Sequence, residues 1–320
     1  MAVPGRARGP HRVPVKAMAT LDLFSPAKIN LFLRVTRKRP DGFHDLASVF
    51  QAVSFGDTLG FDPLPASATS DTLTVSGDPE LEALPTDDSN LVIKALNVFR
   101  ERTGSQTRYA VHLTKRIPTG AGLGGGSGNA ATALWAANEL SGRPAGTDAL
   151  VDWAADVGSD VPFFLSTGTA MVTGRGENVE AMPSLPPAAM LLVKPPEGVP
   201  TPEIFKRFSL ENASDADPEA LRREIERGVY VDGTTVNDLE APAFAYLPKL
   251  GDLKARLAEA GRQEGLGYTS VFMSGSGATI VCLGADGVPE LVHQDPELFR
   301  TPATFLNRPD DAWYADPNET

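Results

Sequence analysis

Hydrophobic and polar positions alternate through much of the first part of the chain, from residue 21 onward. Leu21-Asp-Leu-Phe-Ser and Ile29-Asn-Leu-Phe-Leu-Arg-Val35 both carry the two-residue period of strands. Arg37-Lys-Arg-Pro-Asp-Gly42 turns the chain, Asp41-Gly42 being a hairpin signal, and Leu46–Phe55 reads as the partner strand. A polar stretch rich in Pro and Ser, Asp62–Thr72, predicts a surface loop. The cluster Asp87-Asp-Ser-Asn90 caps an amphipathic helix that starts at Leu91 and is ended by Gly104. Tyr109-Ala-Val-His-Leu113 alternates again and leads into a glycine-rich loop. An alanine-rich helix follows the loop, and Thr147-Asp148 predicts the cap of the next helix, which runs to Val157 and stops at Gly158. Strands are expected at Thr169–Gly174 and Met190–Val193. From about Pro195 the period lengthens. Helical segments near Pro202–Phe208, Glu219–Arg227 and Leu250–Ala260 precede two strands, Ser270–Met273 and Ala278–Leu283, folded about Gly275. This is an α+β pattern in two units, with the boundary near Pro186–Pro196.

The chain therefore divides into a leader at 1–20, an N-terminal domain at 21–187, a C-terminal domain at 188–306 and a tail at 307–320. The tail, rich in Asp and Pro, is expected to be loosely held. The leader carries Arg6, Arg8, Arg12 and Lys16 with no acid before Asp22, and lacks the apolar core of a secretory signal. It suits an organelle transit peptide and equally a disordered bacterial extension. A net charge of −12 over 320 residues argues against nucleic acid or an anionic membrane as partner. No apolar run is long enough to span a bilayer. Cys282, the single cysteine, lies in the apolar run Thr279–Leu283 and reads as a core residue of a protein kept reduced.

Pro118-Thr-Gly-Ala-Gly-Leu-Gly-Gly-Gly-Ser-Gly-Asn-Ala-Ala131 holds six glycines between Gly120 and Gly128 and leads into a helix. Glycine lets successive N–H groups converge, and a helix start adds its unpaired N–H groups and positive dipole end; the result is a cradle for phosphate. With no Lys or Arg between Arg116 and Arg143, a Walker loop is excluded. Gly120, Gly122 and Gly125 satisfy the dinucleotide spacing, but the acidic residue that motif requires falls at Glu139, inside a helix. A flexible linker would not contain Leu123 or run into a strong helix former.

Five other segments stand out. Lys28, in Ser25-Pro-Ala-Lys-Ile-Asn30, is either a lysine snorkelling from a strand end or an active-site cation. Asp160, in Gly158-Ser-Asp-Val-Pro-Phe-Phe164, is a helix N-cap or a catalytic carboxylate. Met273–Thr279 is a tight hairpin or a second ligand loop. Phe43 beside His44 reads as a small cluster in an exposed turn, and Thr201 with Phe205 as an N-cap and a core aromatic.

Taken in order, these segments resemble the GHMP kinases, the family of galactokinase, homoserine kinase and mevalonate kinase. The form Gly-Leu-Gly-Gly-Gly-Ser-x-Asn-Ala-Ala is similar to the branch that acts on 4-diphosphocytidyl-2-C-methyl-D-erythritol. The resemblance implies a two-domain α+β fold with the active site in the inter-domain cleft. It implies transfer of the γ-phosphoryl group of ATP to the 2-hydroxyl of that cytidine diphosphate methylerythritol, assisted by Mg²⁺. Asp160 would be the base and Lys28 its electrostatic partner, since a neighbouring ammonium favours a charged carboxylate. Gly120, Ala121, Gly122, Leu123, Gly124, Gly125, Gly126, Ser127 and Asn129 would cradle the phosphates. Asn90 and Lys115 would lie near the adenine and phosphates, with Lys94 and Arg116 close enough in sequence to be mistaken for them. Asn30 and Thr201 would face the substrate, Phe43 and Phe205 would sandwich the cytosine, and His44 would read its edge. Ser274, Gly275, Ser276 and Gly277 would support the phosphate loop. No direct metal motif is present, and Ser127 is the candidate metal contact. Two positions depart from the family pattern: Ser127-Gly128-Asn129 replaces Ser-Ser-Asn, and Phe43 replaces a tyrosine.

The partner expected is the small-molecule substrate, with no nucleic acid or membrane, and the chain a monomer or weak homodimer. The run Phe43–Ser48 and the pair Trp313-Tyr314 give a plant-like pattern that turns the leader toward the plastid (chloroplast) stroma, with a bacterial cytoplasm as the alternative. Two other functions fit the same motifs: a GHMP kinase for another small alcohol such as homoserine, and a non-catalytic ligand sensor. The first would have no use for the cytosine clamp of Phe43, His44 and Phe205, and the second would need neither Lys28 nor Asp160.

Overall fold

The computed structural model describes residues 21–77 and 84–317; the leader and the last three residues of the tail lie outside them. The two strands expected near the N-terminus are one, β1 (Leu21–Lys38), which pairs antiparallel with β2 (His44–Pro63) through the Asp41-Gly42 turn. Pro26 cannot donate to a ladder, and the register shifts at Pro26/Ala27 instead of the strand ending there. Next come β3 (Thr72–Gly77), α1 (Leu91–Thr103), β4 (Tyr109–Lys115), α2 (Gly125–Leu140) and α3 (Thr147–Val157). A single 3-10 turn, Pro162–Leu165, leads to β5 (Thr169–Gly174) and β6 (Asn178–Ala181). These strands form a six-stranded sheet in the order β3-β4-β2-β5-β6, with β1 on β2. The second sheet starts at β7 (Ala189–Lys194). After α4 (Thr201–Arg207), α5 (Pro218–Glu226), α6 (Glu240–Tyr246) and α7 (Pro248–Gln263) come β8 (Ser270–Met273), β9 (Ile280–Leu283), α8 (Glu290–His293) and β10 (Phe299–Thr304). Its order is β10-β7-β9-β8, antiparallel throughout. The α+β class is the one expected. No described helix is long and apolar enough to cross a membrane.

Strand alternation builds the layers. Phe50, Ala52 and Leu59 of β2 pack against α1, α2 and α3, while Val49 and Val53 point into a core shared with the second sheet. In β7, Met190 and Leu192 enter that shared core, and Leu191 and Val193 face α6 and α7 on the far side. The order is helices, sheet, sheet, helices, and Cys282 is fully buried in the outer layer.

Three local expectations need correction. Helix α2 begins at Gly125, inside the glycine run, so the loop supplies the helix's first turn. The cap of α3 is Gly146, with Thr147 already helical. The tail is not loosely held through its described part: Trp313 and Tyr314 are buried, and the Trp313 indole N–H donates to the carbonyl of Phe24 at 2.7 Å. Aromatic residues outweigh the Asp and Pro around them.

Candidate active site

Lys28 and Asn30 stand two residues apart on β1 and so share a face. The Lys28 Nζ donates to Asn30 Oδ1 at 2.7 Å and lies 4.3 Å from the centre of the Phe50 ring. Asn30 is held in turn by Ser48 of β2, its Nδ2 donating to Ser48 Oγ at 2.9 Å. Across from them the turn before the 3-10 segment presents Asp160, whose Oδ2 is 3.6 Å from Lys28 Nζ. Lys28 is 5% exposed and Asp160 33%, so the lysine is fixed and the carboxylate can be reached. Burial pushes the Lys28 ammonium below the usual lysine range, and the charge of Asp160 offsets part of that. Asp160 caps no helix, since Val161 occupies that position without a side-chain bond.

The glycine loop is tied on its carbonyl side. Lys28 N–H donates to Leu123 O at 2.9 Å, Ala278 N–H to Gly120 O at 3.2 Å and Thr279 N–H to Ala121 O at 3.2 Å. Ser274 Oγ donates to Gly122 O at 3.0 Å. With these carbonyls engaged, the N–H groups are what remains to meet a ligand. The first intrahelical bond of α2 is Gly128 N–H to Gly124 O at 2.8 Å, and no side chain caps the turn before it. Glycine is required at two points: a Cβ on Gly122 (φ +73°) would come 2.3 Å from Ser274 O, and one on Gly124 (φ +68°) 2.9 Å from Lys28 Cγ. The loop, the second glycine turn and Lys28 are thus packed into one another.

Lys115 Nζ donates to Asp57 Oδ2 at 2.6 Å, and the other oxygen of Asp57 accepts from the backbone of Arg116 at 2.7 Å and Ile117 at 2.8 Å. Burial lowers the Lys115 ammonium from its ordinary range, opposed by Asp57. Lys115 lines the cavity. Lys94 instead donates to Val157 O at 2.8 Å, and the Arg116 guanidinium lies over Phe55, so the three cations are told apart by position. Both amide atoms of Asn90 are used locally: Oδ1 accepts from Val92 N–H at 2.9 Å as the cap of α1, and Nδ2 donates to Pro85 O at 2.7 Å. Asn129 accepts from Ser25 Oγ at 2.8 Å, pinning α2 to β1.

At the other end of the cavity the aromatic residues are arranged differently from the expected sandwich. Phe205 is stacked on His44, ring centres 5.4 Å apart and planes 23° from parallel, with Phe208 edge-on to His44 at 5.6 Å. Phe43 is 52% exposed and covered by the Arg175 guanidinium, 4.0 Å from its ring centre. Burial, and then Lys38, lowers the His44 pKa, so the ring is neutral at pH 7 and carries one donor and one acceptor nitrogen. Thr201 starts α4, and its hydroxyl bonds Ser276 Oγ at 2.7 Å instead of capping the helix.

Most of these groups border one cavity of about 1060 Å³, which is lined by both the glycine loop and the aromatic residues. Of the expected residues only Ser274 and Gly277 stand behind the lining, where they support Gly122. Sequence reasoning missed Ser48, Asp57, Phe208 and Arg175. Asp57 was detectable, as an acid within an otherwise apolar strand needs a buried cation; the others depend on contacts between distant segments.

Residues 90–168 match the profile of the GHMP kinases N terminal domain. Over 303 residues the chain is 50% identical to the chloroplastic 4-diphosphocytidyl-2-C-methyl-D-erythritol kinase of Oryza sativa subsp. japonica, covering 93% of this chain and 73% of that one. The chain belongs to the 4-diphosphocytidyl-2-C-methyl-D-erythritol kinase family of GHMP kinases. The kinase of that name from Protochlamydia amoebophila is 44% identical, with 94% of this chain and 95% of that one covered. A crystal structure of 4-(cytidine 5'-diphospho)-2C-methyl-D-erythritol kinase superposes with a TM-score of 0.69 at 32% identity, covering 89% of this chain and 99% of that one. A homoserine kinase from Cytophaga hutchinsonii shares the fold, with a TM-score of 0.66 at 17% identity and 89% and 94% of the two chains covered. Within this kinase family Gly128 has a local reason: a Cβ there would approach Pro26 O to 2.8 Å, because α2 lies directly on β1.

Proposed function

We propose that this chain phosphorylates the 2-hydroxyl of 4-diphosphocytidyl-2-C-methyl-D-erythritol with ATP, a step in the formation of isoprenoid precursors. The observation that carries the proposal is the placement of Lys28 and Asp160, 3.6 Å apart, in the cavity whose wall is the uncapped start of α2 and whose far end is aromatic. ATP phosphates suit the loop, because its glycines leave no Cβ to block an anion and its N–H groups have no side-chain competitor. The acceptor hydroxyl, bound beside Asp160, gives its proton to the carboxylate as the oxygen attacks phosphorus. Lys28, held by Asn30, offsets negative charge on the moving group. Asp57 keeps Lys115 and the chain entering the loop in place.

Magnesium neutralises phosphate charge in such reactions. Among the described residues no cluster of three His, Cys, Asp or Glu could hold it, so the phosphates would supply most ligands and the Ser127 hydroxyl one from the protein. For the cytosine, the aromatic end offers the faces of Phe43 and Phe205 and the neutral edge of His44. A ring clamped between the two phenylalanines would compete for Phe205 with His44, which stacks on it. Arg175 adds a cation beside Phe43. We take the small-molecule substrate as the partner, with no nucleic acid or membrane, and the chain as a monomer or weak homodimer. Plant relatives at 47–50% identity are chloroplastic enzymes, and we place this chain in the plastid with them.

Specificity tests the assignment. With MgATP, kcat/KM for the cytidine-linked substrate should exceed that for homoserine or unmodified methylerythritol by about 100-fold or more, the scale of lost base stacking and edge contacts. Equal values would remove the substrate while leaving a kinase.

A further inference from the structure

The tail is built into the back of the active site. Three successive carbonyls, starting at the last residue of the 3-10 turn that comes after Asp160, each accept a bond from the tail. Arg308 Nη2 donates to Leu165 O, the Tyr314 hydroxyl to Ser166 O at 3.1 Å, and the Arg308 backbone N–H to Thr167 O at 3.0 Å. The same tail reaches the other two catalytic elements. Trp313 Nε1 donates to Phe24 O, four residues before Lys28 on β1. The rings of Trp313 and of Trp135, on α2, lie 5.2 Å apart.

Arg308 is the hub. It is 5% exposed and has no carboxylate within ion-pair distance among the described residues. Its guanidinium lies between 5.2 and 5.5 Å from the ring centres of Trp135, Tyr314 and Trp313. Nη1 donates to Ala312 O at 2.7 Å and Pro309 O at 3.0 Å, which folds the tail's own turn, while Nε finds no partner among the described residues. A buried charge held only by carbonyls and ring faces costs more than an apolar side chain of the same size would. None of Arg308, Trp313 and Tyr314 lines the cavity, so their effect on chemistry must pass through other residues.

We propose that Arg308, with Trp313 and Tyr314, is a positioning device for phosphoryl transfer, fixing the Asp160 turn against Lys28 and the start of α2. The proposal rests on Asp160 being the base. It requires that loosening the tail misplace the carboxylate without disturbing the nucleotide loop, whose carbonyl ties run to β1 and to the second glycine turn.

The test compares full-length wild type with Arg308→Met, Arg308→Lys, Tyr314→Phe and Asp160→Asn. Product formation is measured per folded molecule well below each melting temperature, with calorimetric titration of a non-hydrolysable ATP analogue and of the substrate. A 1 Å misplacement of a reacting group can cost about 100-fold. Arg308→Met should lose about tenfold in kcat, Tyr314→Phe about threefold and Arg308→Lys an intermediate amount, with analogue affinity within about twofold of wild type. Lower melting temperatures with unchanged kcat per folded molecule would overturn the proposal and leave a structural role. Tyr314→Phe removes one hydroxyl and keeps the test open should Arg308→Met not fold. Full activity in Asp160→Asn would instead sink the base assignment, whatever the tail variants do.

Discussion

The two ends of the cavity are made of different materials. At the end we assign to the nucleotide, the groups on offer are backbone N–H groups, held by a loop whose carbonyls from Gly120 to Gly124 are bonded and whose Gly122 and Gly124 fit tightly against Ser274 O and Lys28. At the aromatic end the groups are side chains, one of them half exposed and the others packed on each other. Phosphate is common to every kinase of this fold, and a rigid cradle suits a group that never varies. The end we assign to cytidine would distinguish one family from another, and side chains can be exchanged there without touching the loop.

The difference predicts a graded response to substitution. Asp160→Asn, at the junction of the two ends, should lower kcat by about 10²- to 10⁴-fold with both ligands still bound, the range for removing a general base. A kcat within threefold of wild type would assign proton removal elsewhere. Gly122→Ala forces a Cβ to within 2.3 Å of a backbone oxygen at positive φ. It should destabilise the protein by about 1–3 kcal/mol and abolish measurable nucleotide binding, seen by thermal melting and titration. Unaltered ATP affinity would show the loop to be less rigid than it looks. Phe205→Ala should raise KM for the cytidine substrate by about 5- to 100-fold, equivalent to about 1–3 kcal/mol of stacking, while KM for ATP stays put. Equal effects on both would break the division into two ends.

The smallest effect concerns pH. Burial and Lys38 lower the His44 pKa, so the neutral ring persists below the pH at which a free histidine would protonate. KM for the cytidine substrate should therefore rise only at a pH below that at which a free histidine would raise it, and His44→Gln should remove the rise. A rise already complete at pH 7 would contradict the sign of the shift.

The same contrast explains what could be read in advance. The nucleotide end was legible because glycines at fixed spacing and a following helix declare a backbone conformation locally. Lys28 and Asn30 were singled out through the family resemblance of Ser25–Asn30, and the two-residue period of β1 puts them on one face. The helix start at Gly125 was missed because Gly has low helix propensity, which the packing of α2 on β1 overrides. Asp57, Arg175 and the stacking of His44 on Phe205 join residues about 60, 130 and 160 positions apart, so no local pattern encodes them. Edge strands β6 and β10 were overlooked for want of alternation, β10 also containing Pro302. In the tail, Trp313 and Tyr314 were noticed as residues but not as anchors, since their partners Phe24 and Ser166 lie far upstream.

The central claim is that one cavity brings a cytidine-linked alcohol to Asp160 beside a phosphate held by the glycine loop. Phosphorus-31 NMR of purified protein with MgATP and 4-diphosphocytidyl-2-C-methyl-D-erythritol, run beside Asp160→Asn, tests it most directly. The account predicts a new phosphomonoester resonance as ATP becomes ADP, largely lost in the variant. ATP consumed without that resonance, or tight ATP binding with no turnover of this acceptor, would contradict it.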